Sequence, residues 1–404
     1  MSGSRPDLRP GVAVTDDFDS CPLIYLIAGE PSGDVLGARL MEALQQETEG
    51  EIRFAGVGGP EMKNQGLESL FPMSDLAVMG VAEVLPRLAL LIRRINETVS
   101  DIRGRSPRAL VTIDSPDFCF RVAKRLRGND ISLIHYVAPS VWAWRPGRAA
   151  KVARFLDHLM TLLPFEPPYF EKQGLSSTFV GHPVVEGPAM RADGRSFRQR
   201  HKIGEDETII IALPGSRAGE VARHLPVFKQ TLSQLTGHYG NIRAVVITTG
   251  AVADTVRAAA ATWPVPVLVV DDIAEKYDAM ASGNAALAAS GTVALELAAT
   301  GTPSVITYRV NALTAWLGRR LIKVRFANLI NLILDREAVP ERLQEKCRAD
   351  ILSNELNTLL NSPEIAENQR QDCRQALKAL SGDSDCGPAR MAARAVLKVL
   401  NRQK

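Results

Sequence analysis

The chain has 404 residues, of which 23% are charged and 46% hydrophobic, and its formal net charge is +3. Glycine and proline together contribute 54 residues, roughly 13% and close to average usage, which excludes collagen-like, low-complexity and wholly disordered proteins. At about 150 residues per domain, the length favours two sizeable domains. The near-neutral charge balance gives no support to nucleic-acid binding.

The N-terminal segment, the longest apolar stretch near it and the cysteines indicate the cellular compartment of the protein. Residues 1–20 lack the basic stretch and apolar core of a signal peptide, so we predict a disordered N-terminal tail. The apolar stretch Leu76–Ile92 is interrupted by charges and a proline, and falls short of the about 20 apolar residues of a membrane span. Five widely spaced cysteines without a CxxC pair are typical of a reducing compartment, which predicts a cytoplasmic protein.

Short apolar, β-branched runs alternate with helical patterns, which predicts an α/β protein whose parallel sheets are covered on both faces. A polar segment after Gly181–Pro183 separates two such series. We therefore predict a domain over 21–188, a second over 189–362, and helices over 363–404. The predicted strands are Leu23–Ala28, Ala109–Ile113, Ile131–Val137, Thr208–Leu213, Arg243–Thr248, Pro266–Val270 and Pro303–Thr307.

Each half opens with a strand that runs into a glycine-containing turn before a helix. The turns are Gly29–Asp34 in the first half and Pro214–Arg217 in the second. This is the geometry of a doubly wound fold, in which ligands bind at the carboxyl ends of the strands. We therefore expect two Rossmann-like domains facing a cleft. Neither turn matches a P-loop or a complete dinucleotide fingerprint.

Two stretches of the second half are suited to a nucleotide diphosphate. Small and hydroxyl residues at a helix start leave backbone N–H groups available for phosphate, and a glutamate one turn later can bind ribose hydroxyls. A simply capped helix is the alternative. The guanidinium of Arg217 can form bidentate hydrogen bonds with phosphate oxygens, although it could equally pair with Glu220 at the surface. The first stretch comprises Ser290, Gly291, Thr292 and Glu296, and the second ends in Ser216 and Arg217.

A candidate general base lies in the first half. Asp114 follows an apolar strand and so stands at the carboxyl edge of a sheet, with Asp117 just beyond it. Either aspartate could instead cap the next helix. The six histidines are scattered and no HExxH motif is present, so a metal-bridged diphosphate site is disfavoured and no cofactor is expected.

Two basic stretches stand out against the near-neutral whole. One interleaves Arg319 and Arg320 with Trp316 and other apolar residues, and the other places Arg145 and Arg148 after a tryptophan pair. Basic residues beside tryptophan and leucine suit an anionic membrane surface, whereas a solvated helix face is the alternative. The apolar stretch Leu76–Ile92 is a third candidate for lipid contact or simply core. Its apolar residues include Val78, Met79, Val81, Leu85 and Leu88.

With these residues in view, the sequence resembles the lipid-A-disaccharide synthase family between about residues 23 and 350. The tryptophan-containing stretch is the most specific of the matching segments. These segments are Ala28–Asp34, Ala77–Leu85, Ile113–Phe118, His135–Trp144, Leu163–Glu166, Gly181–His182, Leu213–Arg217, Ser290–Glu296 and Asn328–Asn331. The chain departs from the family pattern in its long N-terminal tail and in Pro31.

The resemblance implies an inverting, metal-independent glycosyltransferase of the two-domain GT-B type. The family joins UDP-2,3-diacylglucosamine to 2,3-diacylglucosamine 1-phosphate (lipid X), giving a β-1′,6 disaccharide 1-phosphate and UDP. It implies a peripheral protein on the cytoplasmic leaflet of the inner membrane, and C-terminal helices that return to the N-terminal domain or exchange within a homodimer. The implied roles are Asp114 as base, Arg217 as stabiliser of the leaving diphosphate, Ser216, Ser290, Gly291, Thr292, Glu296 and Asn331 at UDP, and Glu30, Ser32 and Asp34 at the acceptor.

Two other functions are compatible with the same architecture. A UDP-sugar 2-epimerase would need acidic and histidine groups around the sugar but no lipid-facing patches. A non-catalytic nucleotide-sugar or lipid-binding protein would tolerate the loss of Asp114. The tryptophan stretch and the basic residues near it favour the glycosyltransferase.

Overall fold

The structure is a computed structural model, and the residues that it describes are 21–76, 81–144, 147–289, 293–311, 315, 324–382 and 386–402. Within these ranges the side chains of 81–87 are not described. The chain divides into two compact units, one formed within Met1–Leu133 and Leu397–Lys404 and the other within Ile134–Val396. The predicted tail, residues 1–20, lies outside the described residues.

Six described strands form the first sheet in the order β2-β1-β3-β4-β5-β6. Strand β1 pairs in parallel with β2 and β3, and β5 pairs in parallel with β4 and β6. The chain order reverses between β1 and β3, the point at which doubly wound sheets bind ligands. The strands are β1 Leu23–Ala28, β2 Arg53–Val57, β3 Ala109–Ile113, β4 Ser132–Tyr136, β5 His158–Thr161 and β6 Ser176–Phe179.

Helices follow the strands of this half, and four of them begin with a proline. Proline suits the first helical position because its missing N–H has no partner there and its φ is already helical. Pro31 therefore starts the first helix directly after the turn at Gly29–Glu30. The helices are Pro31–Glu47, Pro60–Asn64, Val81–Arg105, Pro116–Leu126, Gly147–Val152 and Pro167–Glu171, with a short 3₁₀ helix at Met73–Asp75.

The second sheet has the order β12-β11-β10-β7-β8-β9, which is the strand order of the dinucleotide-binding Rossmann fold. Its switch point lies between β7 and β10. The strands are β7 Thr208–Leu213, β8 Ile242–Ile247, β9 Val267–Val270, β10 Ala285–Ala289, β11 Ser304–Tyr308 and β12 Glu341–Leu343. The accompanying helices are Gly194–Arg200, Ala218–Leu235, Ala253–Ala260, Lys276–Ala281, Val293–Ala299, Leu329–Leu334, Ala349–Asn361, Pro363–Ser381 and Gly387–Asn401.

Two apolar clusters cover the two faces of the second sheet. In β7, Ile209 and Ile211 enter one cluster, whereas Ile210 and Ala212 enter the other. This alternation places helices on both faces and explains why the strand reads as a continuous apolar run. Fully burying one such isoleucine contributes about 1.5–3 kcal/mol. The sheet is therefore a rigid base for the turns that follow its strands.

The predicted α/β class with two doubly wound sheets is confirmed. All seven predicted strands are present within about two residues of their predicted ends, and the C-terminal region is helical as expected. Five further strands, β2, β5, β6, β10 and β12, were not predicted. The predicted domain boundary between 188 and 189 and the exchange of the C-terminal helices stay predictions.

Candidate active site

A cavity of about 600 Å³ lies at the carboxyl ends of strands of the second sheet. Residues at or after the ends of β7, β8, β9, β10 and β11 line it, so it occupies the switch point of a Rossmann fold, where nucleotides bind. Its lining comprises Leu213, Gly215, Ser216, Arg217, Glu220, Ile247, Thr248, Thr249, Gly250, Asp271, Asp272, Ile273, Lys276, Tyr277, Ala289, Val293, Glu296 and Tyr308.

Arg217 lies at one wall of this cavity with 70% of its side chain exposed. Its Nη1 donates to Glu220 Oε1 at 3.0 Å, and the Tyr308 hydroxyl donates to the same oxygen at 3.0 Å. These two bonds outweigh burial and hold the pKa of Glu220 below its ordinary value. Gly215 has φ +113°, and a Cβ there would come within 2.9 Å of Glu220. The glycine thus makes room for the carboxylate that orients Arg217.

Glu296 also lines the cavity and pairs with a lysine. Lys276 Nζ lies 2.7 Å from Glu296 Oε1, and the Tyr277 hydroxyl donates to that oxygen at 3.2 Å. Lys276 therefore adds a second cation to the cavity beside Arg217. Sequence analysis missed it because it stands 20 residues from Glu296 in no motif, and only the parallel topology brings the two together.

Thr248, at the end of β8, was also not predicted. Its Oγ1 is buried and, within the described part of the chain, lacks a hydrogen-bond partner. Buried hydroxyls are normally hydrogen-bonded, and this unpaired one belongs to a residue that lines the cavity. The cavity thus combines two cations, each paired with a carboxylate, with two further carboxylates and several hydroxyls, which suits a polar ligand.

Ser290, Gly291 and Thr292 are outside the described residues, although Ala289 and Val293 on either side line the cavity. Asn331 is fully buried and does not line it. Its side chain accepts from Ala338 N and Val339 N and donates to Val339 O and Glu341, which fixes a local loop.

A second constellation surrounds the switch point of the first sheet. Asp114 and Ser115, directly after β3, have φ +50° and +42°. Two successive residues are thus left-handed, a backbone conformation that costs energy for residues other than glycine. A Cβ on Gly29, after β1, would lie 2.4 Å from Ser115 Oγ. The two turns are thus in close contact. Glu30 and Ser32 are exposed beside them, and Asp114 is partly exposed.

Asp34, the third predicted acceptor residue, is 2% exposed and accepts three backbone N–H bonds. The donors are Gly59 N at 2.8 Å, Glu61 N at 2.9 Å and Met62 N at 3.1 Å. The carboxylate therefore caps the helix Pro60–Asn64 and complements its dipole. A direct part for Asp34 in acceptor binding stays a prediction.

The tryptophan stretch is anchored by a buried acid. Glu166 is 3% exposed and accepts from Trp142 Nε1 at 3.0 Å, Leu163 N at 3.0 Å and Leu162 N at 3.2 Å. Burial raises the pKa of Glu166 to about 7 even though all three bonds favour the carboxylate. Trp142 also packs edge-on against Phe165, with ring centroids 5.3 Å apart. Trp144 is 40% exposed.

The candidate lipid-contact residues are only partly described. Leu88 and Ile92 are 40% and 43% exposed and lie one turn apart on the helix Val81–Arg105. Arg148 is partly buried on the helix Gly147–Val152. Val81 and Leu85 belong to the helix, but their side chains are not described. Val78, Met79, Arg145, Trp316, Arg319 and Arg320 lie outside the described residues.

The described residues include neither a metal-ligand cluster nor a membrane-spanning helix. No group of three or more His, Cys, Asp or Glu side chains there could hold a metal ion, and independence from metals stays a prediction. No described helix is long and apolar enough to span a bilayer.

Solved structures share this architecture at low sequence identity. A UDP-GlcNAc 2-epimerase from Neisseria meningitidis bound to UDP-GlcNAc superposes with a TM-score of 0.60, at 10% identity over 94% of this chain and 99% of that one. MurG from Acinetobacter baumannii superposes with a TM-score of 0.52, at 14% identity over 94% and 99%. These similarities and the two parallel sheets define a two-domain α/β fold of the GT-B class.

Sequence comparison identifies the family within that class. A family model described as lipid-A-disaccharide synthetase matches residues 24–396. A lipid-A-disaccharide synthase from Rhodospirillum centenum is 55% identical over 94% of this chain and 95% of its own length, and one from Paramagnetospirillum magneticum is 47% identical over 95% and 98%. The chain belongs to the lipid-A-disaccharide synthase family and is a glycosyltransferase. The predicted family is confirmed, and the epimerase and binding-protein alternatives are not favoured.

Proposed function

We propose that the protein transfers 2,3-diacylglucosamine from UDP-2,3-diacylglucosamine to the 6-hydroxyl of lipid X, with inversion and without a metal. The products are the β-1′,6 disaccharide 1-phosphate and UDP. The observation that carries this proposal is the cavity at the switch point of the second sheet, with Arg217 and Lys276 in its walls. Two cations can neutralise a diphosphate that a metal ion would otherwise bind.

The transfer itself needs one base and one stabilised leaving group. The Asp114 carboxylate would accept the proton of the acceptor 6-hydroxyl as its oxygen attacks C1 of the donor sugar. The bond from C1 to the diphosphate oxygen would break, and Arg217 would stabilise the negative charge that develops on UDP. Because the sugar is displaced once, its configuration at C1 inverts.

The other predicted roles complete the proposal. Ser216, Ser290, Gly291, Thr292 and Glu296 would hold UDP, with Thr248 as an added donor. Glu30 and Ser32 would border the acceptor, and Asp34 would support their turn as a helix cap. The domain over 21–188 would bind the lipid acceptor, and the domain over 189–362 the UDP-sugar.

We also propose that the protein binds peripherally to the cytoplasmic leaflet of the inner membrane. Both substrates carry acyl chains, and Leu88 and Ile92 present apolar surface on one face of a helix. The predicted basic residues near tryptophan would add attraction to anionic headgroups. A homodimer is also part of this proposal, with C-terminal helices that return to the N-terminal domain or exchange between the two subunits.

The test is UDP release from UDP-2,3-diacylglucosamine in detergent and EDTA, with and without lipid X. Release that requires lipid X and yields a disaccharide is expected, and release without acceptor would refute the transferase.

Asp114→Asn should retain UDP binding but lower kcat at least about 100-fold. Asp117→Asn, an exposed aspartate on the adjoining helix Pro116–Leu126, is the matched control and should retain activity. Equal activity of both variants would remove Asp114 from the role of base.

A further inference from the structure

We propose that His224 is a positioning residue that sets the separation of two turns in the wall of the nucleotide cavity. The proposal rests on the proposed UDP-sugar site and adds to it a residue outside the cavity lining. His224 lies on the helix Ala218–Leu235 and is fully buried. Its imidazole touches the turn after β7 on one side and the turn after β11 on the other.

Each ring nitrogen of His224 contacts one turn. Nδ1 lies 3.1 Å from Pro214 O, and Arg309 N donates to Nε2 at 3.0 Å. A backbone N–H can only donate, so Nε2 must be the unprotonated acceptor. A carbonyl oxygen can only accept, so Nδ1 must carry the proton. We call this pair of contacts the His224 bridge, and it requires the neutral imidazole with hydrogen on Nδ1.

The surroundings of His224 favour that neutral form. Burial lowers the pKa of His224 and outweighs the hydrogen bond to Pro214 O, which acts in the opposite direction, and the nearby Arg223 guanidinium lowers it further. Arg223 Nε also donates to Arg309 O at 2.8 Å, so the same helix holds both backbone polar atoms of Arg309. The ring packs against Tyr308, with centroids 5.8 Å apart. The bridge is therefore fixed in both protonation and orientation.

The bridge matters because the sheet does not connect these two turns directly. Strands β7 and β11 are separated by β10, so no ladder of hydrogen bonds joins one to the other. Leu213 and Gly215 flank Pro214 and line the cavity, as does Tyr308 immediately before Arg309. Moving the bridge would shift Arg217 on one turn and Tyr308 on the other, and both bind Glu220.

Removing the His224 bridge should lower the affinity for the nucleotide while the protein stays folded. His224→Phe keeps the ring volume but removes both contacts. It should raise the Kd for UDP and the KM for the UDP-sugar about 10-fold, which about 1.4 kcal/mol produces. It should change the KM for lipid X less than about twofold, because the proposed acceptor residues follow strands of the first sheet. His224→Gln can accept again from Arg309 N and should recover part of the affinity.

Calorimetric UDP titration, steady-state kinetics and thermal unfolding would test this, with His238→Gln as control, because His238 is exposed beyond the same helix. Unchanged Kd and donor KM in a folded His224→Phe variant would overturn the proposal. If that variant does not fold, the ring ¹⁵N signals of wild-type His224 decide it: a neutral ring protonated at Nδ1 supports the bridge, and a proton on Nε2 overturns it. Failure of wild type to bind UDP would instead refute the proposed function.

Discussion

Replacing Glu166 by glutamine should remove a large part of the pH dependence of the protein's stability. Glu166 has its pKa raised to about 7 by burial, compared with an ordinary value of 4.5. At 1.36 kcal/mol per pH unit, this difference corresponds to about 3 kcal/mol of unfolding free energy. The folded protein binds the extra proton between these two values.

Because the folded protein binds this extra proton, its stability falls as the pH rises. The stabilisation is complete below the unfolded pKa of 4.5 and is lost as the pH rises through about 7, where Glu166 ionises in the folded state. Wild type should therefore lose about 3 kcal/mol of stability between pH 4.5 and 8 from this group. Glu166→Gln has no proton to lose, so its stability should change less over the same range.

Urea unfolding at a series of pH values, followed by tryptophan fluorescence, measures this difference. Trp142 reports directly because its Nε1 donates to Glu166. Glu171→Gln, which alters an exposed carboxylate on the helix Pro167–Glu171, is the matched control and should follow wild type. The reasoning is refuted if wild type and Glu166→Gln lose the same free energy between pH 4.5 and 8.

Two other predictions concern the cavity and the membrane. Gly215→Ala should weaken UDP binding at least about 10-fold, because strain of about 1–3 kcal/mol at φ +113° and the approach of the new Cβ to Glu220 would displace the turn that carries Arg217. Calorimetry measures this, and an unchanged Kd would contradict it. Leu88→Asp with Ile92→Asp should reduce co-sedimentation with anionic vesicles but leave UDP binding intact. Equal sedimentation of wild type and the double variant would exclude this helix face as a lipid contact.

Seven strands could be predicted from the sequence because their residues show the β-branched, apolar pattern of buried parallel strands. β7 was predicted with its observed ends for that reason. β10, Ala285–Ala289, was missed because its alanine-rich sequence favours a helix. It is a strand because it lies between β7 and β11 with helices on both faces, where small side chains fit. Tertiary packing overrides local propensity there.

In the candidate site, too, residues in local motifs were predicted, whereas residues that only the fold brings together were missed. Arg217 and Glu296 stand in short motifs after strands and were predicted to meet a nucleotide, and both line the cavity. Lys276 and Thr248 were missed because the fold alone brings them there. Asp34 also depends on long-range contacts, since the backbone N–H groups that it accepts from lie 25–28 residues away and make it a helix cap, which its sequence position did not predict.

The left-handed turn after β3 limits how mutations at its first residue can be interpreted. Asparagine and aspartate tolerate positive φ better than other residues with side chains. At Asp114, with φ +50°, asparagine thus removes the charge and leaves the turn in place. Alanine or glutamate would also strain the turn, and their kinetics would combine a lost base with a displaced loop. The backbone at this position determines which substitution isolates the chemistry.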